Sequence, residues 1–229
     1  MKRIGIIGGM TPESTCYYYQ KYIRMSREKF GPFTFPELII YSINFEKFKN
    51  SSRGWEGRTE ILLNAARALE RAGAEIIAMS ANTPHIVFPE VQKAINVPMV
   101  SIIDALIEEM ERRGVKKVLL LGTKTTMTAD FYRNALKEAG FDVVTPAEEE
   151  IDRVDGIIFG ELSFENLKSK PYLMKLVERY AREKGIEGVI LGCTELPLAI
   201  KSGDVSVEVF DTAEIHMRKL IELASEKKG

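Results

Sequence analysis

The sequence predicts an α/β protein built from two similar halves, each around a parallel sheet. Three observations carry this prediction. Short apolar runs alternate with amphipathic stretches along the 229 residues, which is the pattern of βαβ units. The segment Ala72-Gly73-Ala74-Glu75-Ile76-Ile77-Ala78-Met79-Ser80-Ala81-Asn82-Thr83 returns as Lys184-Gly185-Ile186-Glu187-Gly188-Val189-Ile190-Leu191-Gly192-Cys193-Thr194-Glu195, so that Gly73 answers to Gly185, Glu75 to Glu187 and Ala81 to Cys193. A second pair, Arg3-Ile4-Gly5-Ile6-Ile7-Gly8 and Lys117-Val118-Leu119-Leu120-Leu121-Gly122, repeats a strand that ends in glycine before a polar loop.

The elements follow in order. Arg3–Ile7 is an apolar strand closed by glycine. Thr11 before Pro12 places a capping hydroxyl ahead of proline at the first helical position, opening an aromatic, amphipathic helix over Pro12–Lys29. Leu38–Ile43 is the second strand. Thr59–Arg71 carries Ile61, Leu62, Ala65 and Leu69 on one helical stripe. Glu75–Met79 and Val97–Val100 are strands, and Ile102–Arg113 is a helix. The second half repeats the scheme with strand Lys117–Leu121, helix Thr128–Ala139, strand Asp142–Val144, a helical stretch from Tyr172 to Glu183, and strands Gly188–Leu191 and Val205–Val209. A last helix runs from Thr212 to about Ser225. The break falls near Ser101–Asp104, and Val209-Phe210-Asp211 reads as a crossover that returns the last helix to the first half. The expected domains are therefore 1–102 plus 210–229, and 103–209.

Composition narrows the function. Basic and acidic residues number 32 and 33, for a net charge of −1. No basic block exists to grip nucleic acid. No apolar run reaches the roughly 18 residues of a membrane span. Met1-Lys2-Arg3 looks like the head of a signal peptide, but glycines interrupt the apolar run and Thr11-Pro12-Glu13 follows, so the expectation is a cytoplasmic protein. The two cysteines and two histidines form neither a zinc spacing nor a disulfide framework.

Ligand sites on parallel sheets lie at the carboxyl ends of strands. Four loops qualify: Gly8–Ser14, Ser80–His85, Gly122–Thr126 and Gly192–Glu195. Thr11, Thr83 and Thr194 read as caps of helices whose free N–H groups suit an anion such as a carboxylate. Gly8-Gly9-Met10-Thr11-Pro12 breaks the dinucleotide fingerprint, and there is no Walker lysine, so nucleotide binding is not expected. Cys193 stands at a strand end beside a predicted helix start, where the helix field and local N–H groups are expected to lower its pKa. Cys16 reads as core. His85 either orients a ligand or bonds backbone, and His216 is expected to join the halves. Arg53, in a polar loop before a helix, either clamps a carboxylate bidentately or is a solvated surface residue. Thr123, Thr125 and Thr126 offer neutral hydroxyls suited to a small zwitterion.

Together, Gly8-Gly9-Met10-x-Pro12-x-Ser14-Thr15, Asn82-Thr83, Gly192-Cys193-Thr194-Glu195 and Phe210-Asp211-Thr212-Ala213-x-Ile215-His216 closely resemble the aspartate/glutamate racemases, over essentially the whole chain. The resemblance implies two pseudo-symmetric Rossmann-like domains with the site in the cleft between them, no pyridoxal phosphate or other cofactor, no metal, an amino acid as the small-molecule partner, and a homodimer. It implies a two-thiol mechanism, in which one cysteine removes the α-proton and the other returns a proton to the opposite face. It carries Cys193 over as catalytic, and Met10, Asn82, Thr83, Thr194 and Glu195 as substrate-binding, beside Arg53, Thr123, Thr125 and Thr126 from the loops above. The chain departs where the family has Cys-Asn-Thr: Ala81 replaces the first thiol. Leu119-Leu120-Leu121-Gly122-Thr123-x-x-Thr126-Met127-x-x-Asp130-Phe131-Tyr132-Arg133 resembles a subgroup, some of whose members carry threonine at that first position. Leu162-Ser163-Phe164 also lacks the lysine that many relatives present to the substrate's side-chain carboxylate, with Lys168 nearby.

Three functions fit these residues. One is a racemase for aspartate, glutamate or a related amino acid, slowed or made asymmetric by Ala81. Another is a single-cysteine malonate decarboxylase, for which protonation on one face suffices. The third is an amino-acid-binding protein that has kept the pocket and lost the chemistry.

Overall fold

The computed structural model describes residues 1–226. The chain divides into two compact units, Met1–Ala105 with the segment from Ala213, and Leu106–Thr212. Each unit holds a four-stranded sheet in which every pairing is parallel. The expected α/β class with two parallel sheets is borne out.

In the first unit the strands are β1 (Ile4–Gly8), β2 (Leu38–Ser42), β3 (Ile76–Met79) and β4 (Met99–Val100), in the order β2-β1-β3-β4. Its helices are α1 (Pro12–Phe30), α2 (Phe45–Lys49), α3 (Gly54–Arg71) and α4 (Phe88–Lys93). The helix α5 (Ile102–Arg113) then leads into the second unit. Both central strands are wholly buried, which explains their unbroken apolar runs: a parallel strand covered on both faces has no polar side to show. Successive side chains alternate in direction. Ile7, Ile77 and Met79 therefore pack with Leu62, Ala65 and Leu69 of α3. Ile4, Ile6, Ile76 and Ala78 join Tyr18 and Tyr22 of α1 and Met217, Leu220 and Ile221 near the C-terminus on the other face.

The second unit repeats this plan. Its strands are β5 (Lys117–Gly122), β6 (Asp142–Val144), β7 (Gly188–Gly192) and β8 (Glu208–Asp211), in the order β6-β5-β7-β8. The paired repeats thus form the central pair of each sheet, β1 beside β3 and β5 beside β7. Helices α6 (Lys124–Thr128), α7 (Asp130–Glu138), α8 (Glu148–Gly160), α9 (Lys170–Lys184) and α10 (Leu196–Ala199) precede α11 (Thr212–Ser225). Ile151, Val154, Ile157 and Ile158 of α8 and Leu173, Leu176 and Val177 of α9 cover Leu119, Leu121, Val189 and Leu191.

Several expectations are corrected. The stretch expected as one helix over 128–139 breaks at Ala129, whose extended ψ of 146° separates α6 from α7. Helix α8 was not expected at all. Its acidic start and its glycines, Gly156 and Gly160, hide a sound apolar stripe. The last strand begins at Glu208 rather than Val205, since Val205 and Val207 pack on the core from irregular chain. Cys16 is exposed, not core, because the buried stripe of α1 runs through Ser14, Thr15, Tyr18, Tyr22 and Met25.

One glycine is dictated by the fold. Gly9 has φ +86°, and a Cβ there would lie 2.4 Å from the Ile43 carbonyl oxygen. Alanine at this position is both strained and blocked. Gly9→Ala should destabilise the protein by on the order of 3 kcal/mol, read as a lowered urea midpoint at unchanged slope.

Candidate functional site

In the second unit the site begins where β5 and β7 end side by side. Gly122 and Gly192 are register partners. A Cβ on Gly192 would lie 2.9 Å from the Leu121 carbonyl oxygen and 3.2 Å from the Thr126 methyl group. Close backbone approach therefore requires glycine immediately before Cys193. Thr126 is fully buried, and its hydroxyl lies 3.1 Å from that of Thr123. Thr123 caps α6 by accepting the Thr126 N–H at 3.3 Å. Thr126 thus departs from the expected ligand role, because its methyl group seats the two strand ends. Thr125 is exposed on α6.

Cys193 is half-buried. Its thiol donates to Oε2 of Glu195 at 2.8 Å, and the Thr194 hydroxyl donates to the same oxygen at 3.0 Å. Burial first, then the Glu195 charge and hydrogen bond, hold the thiol pKa well above its ordinary value, against the opposing pull of the Thr194 and Glu195 backbone N–H groups. The expected lowering by a helix start is corrected. Helix α10 has only four residues, and Glu195, not Thr194, is its N-cap, without a side-chain cap bond. Burial, and after it the carboxylate, outweighs so short a dipole.

In the first unit, Thr11 caps α1 within a capping box, with Pro12 following. The Gly9 N–H donates to Thr15 Oγ1 at 2.8 Å. Met10 is buried in the apolar cluster beneath, so it serves packing. Ala81 is half-buried, Asn82 buried and Thr83 half-buried at the carboxyl end of β3. Thr83 is the first residue of a 3-10 turn, Thr83–Val87, rather than its cap. Ser80 is wholly buried and donates to the Ile7 carbonyl at 3.2 Å. Arg53 departs from a carboxylate clamp: it is exposed, and its guanidinium is taken up by Glu56 and Glu60 of α3.

Both histidines lie in the first unit and are neutral. Burial chiefly, with His216 adding to it, pushes His85 down to about 3, and burial pushes His216 down to about 4. His216 meets the Val100 carbonyl at 2.9 Å through Nε2 and the Tyr18 hydroxyl at 3.0 Å through Nδ1. Its partners belong to one unit, so the expected link between halves is corrected. His85 bonds backbone, one of its two expected roles. In the unfolded chain each imidazole takes up a proton near pH 6.5. Because the folded pKa values are lower, this stability is fully present above pH 6.5 and lost as pH falls toward 4. The slope should reach about 2–3 kcal/mol per pH unit for the pair, measurable as falling urea midpoints between pH 7 and 4.

Among the described residues, no group of three or more His, Cys, Asp or Glu is placed to hold a metal ion. No helix among them is long and apolar enough to cross a membrane.

The sequence model of the family described as Asp/Glu/Hydantoin racemase matches residues 7–220. The chain belongs to this family. It is similar to the aspartate racemase homologue of Pyrococcus horikoshii OT3, with 69% identity, TM-score 0.93, and coverage of 99% of this chain and 100% of that one. It is 31% identical over 144 residues to the broad specificity amino-acid racemase RacX of Bacillus subtilis (strain 168), covering 62% of this chain and 63% of that protein. It is 34% identical over 161 residues to the glutamate racemase of Aquifex pyrophilus, covering 66% and 59%. The matched regions thus span about three fifths of these two curated relatives.

Proposed function

We propose that the protein is an isomerase, a racemase-like enzyme that works without pyridoxal phosphate on aspartate, glutamate or a related amino acid, with Cys193 as its one thiol base. The carrying observation is the Cys193 thiol hydrogen-bonded to the Glu195 carboxylate at 2.8 Å at the end of a central strand. Burial and then the Glu195 carboxylate keep the resting thiol protonated. The carboxylate is also the group to which that proton passes as sulfur takes the α-hydrogen, leaving a neutral carboxyl, a thiol and a carbanion stabilised by fixed donors. Asn82, Thr83, Thr123, Thr125 and Thr194 are assigned to the substrate's carboxylate and ammonium groups. Ala81 has no proton to give to the opposite face, so water must supply it there. The same reading takes the protein as a cytoplasmic homodimer, for which sedimentation equilibrium would give twice the chain mass.

The test is α-hydrogen exchange in heavy water, followed by proton NMR and chiral chromatography on L-aspartate and L-glutamate. Deuterium should enter one enantiomer faster than that enantiomer inverts. Equal rates would reveal a second acid and sink the one-thiol reading. Because Ala81 also favours one-face chemistry, the second reading is a decarboxylase. Carbon dioxide released from substituted malonates, with no exchange of amino acids, would favour it.

The raised thiol sets the pH dependence. Because the reactive pair, a protonated thiol beside an ionised carboxylate, is already in place at pH 7, kcat/KM should change little between pH 7 and 9. In Glu195→Gln, the rate at pH 7 should fall about tenfold or more as the local proton acceptor is lost. That variant's rate should instead climb with pH, because its thiol must lose its proton to solvent before sulfur can act as the base.

A further inference from the structure

His85 makes a pattern of contacts that the proposed chemistry does not use. Its ring is 4% exposed. Nδ1 lies 3.0 Å from the Ala81 carbonyl oxygen and 3.2 Å from that of Asn82. Nε2 lies 3.1 Å from the backbone nitrogen of Ile102, the first residue of α5. A neutral imidazole has one N–H and one lone pair. Carbonyls can only accept and the Ile102 N–H can only donate, so the tautomer is fixed: Nδ1–H donates to the loop and Nε2 accepts from the helix. Phe88 stacks on the ring at 5.4 Å with an interplanar angle of 8°, and His216 meets it edge-on at 6.0 Å. These contacts hold the ring plane.

From this geometry we infer that His85 is a positioning residue for the substrate loop. Its Nδ1–H holds the Ala81 and Asn82 carbonyls, and so fixes where Asn82 and Thr83 stand, while the Ile102 N–H on Nε2 fixes which ring nitrogen carries that proton. The inference rests on the functional reading for its kinetic consequences, and on the ring's own contacts for the clamp.

Two variants separate the two ends of the ring. His85→Asn places an amide donor near Nδ1 and loses the acceptor for Ile102. His85→Gln places an acceptor near Nε2 and loses the donor to the loop. A displaced loop of about 1 Å is expected to cost about 100-fold in rate. In α-hydrogen exchange on L-aspartate, His85→Gln should lose most of kcat, up to that factor, while His85→Asn stays within about threefold of wild type. Equal kcat losses in the two variants, or a larger loss in His85→Asn, would overturn the loop clamp.

Should either variant fail to fold, nitrogen-15 NMR of the wild-type imidazole decides the matter. The clamp requires Nδ1–H, a bare Nε2 and a slowly exchanging Ile102 amide at pH 7. An Nε2–H tautomer or a charged ring would overturn it. If the wild type exchanged no amino acid, the functional reading would fail, and these NMR signatures would still judge the clamp.

Discussion

Cys193→Ala should reduce α-hydrogen exchange by about 10⁴-fold, because the variant removes the one group proposed to take the proton and leaves binding in place. The fold should survive. Cys193 is half-buried and packs only at the margin of the second unit's core, so the melting temperature should move little while kcat collapses. The assay is deuterium wash-in at the α-carbon of L-aspartate and L-glutamate, with amino-acid binding followed by calorimetry. Binding retained with exchange lost is the expected pair of results. Exchange that persisted in the alanine variant would remove sulfur from the chemistry and leave the Glu195 carboxylate as the base to test next.

Ala81→Cys should have the opposite effect. It restores a thiol at the position matching Cys193 in the repeat, at the carboxyl end of β3. The side chain is half-buried against the apolar cluster that includes Met79 and Val87, and sulfur adds one heavy atom there. An added acid on the second face should raise inversion by about 100-fold or more while changing exchange far less. The ratio of exchange to inversion should fall toward one. Chiral chromatography of both enantiomers as starting material gives that ratio. An unchanged ratio would mean that water already reaches the second face as well as a thiol can, and the asymmetry assigned to Ala81 would be withdrawn.

How much of this was legible in the residues depends on distance along the chain. The parallel sheets were, since Ile4–Gly8 and Lys117–Gly122 are buried on both faces and so read as continuous apolar runs ending in glycine. Their place at the centre of each sheet was foreshadowed by the repeat itself. The position of Cys193 at a strand end was legible for the same reason. Its raised pKa was not, because that depends first on how far the fold buries the thiol and then on which way the Glu195 side chain turns. The same holds for Thr126: a hydroxyl in a loop sequence gives no sign that its methyl group seats Gly122 and Gly192. Arg53 looked available because its partners, Glu56 and Glu60, meet it only once α3 forms from Gly54 onward. The His85 clamp was half visible. Its place after Thr83-Pro84 marked it, but its bond to Ile102 could not be read from local pattern.

The first unit is not contiguous, and this bears on how the protein is made. Residues Met217, Leu220 and Ile221 complete one face of a sheet whose first strand begins at Ile4, and the Lys2 N–H is accepted by the Ala224 carbonyl. A chain emerging from the ribosome normally folds its leading domain first. Here the first unit stays open until the segment from Ala213 has been made, whereas the second, Leu106–Thr212, has all its strands beforehand. Maturation should therefore run backwards relative to synthesis, and the nascent N-terminal half is the stretch that chaperones would have to shelter.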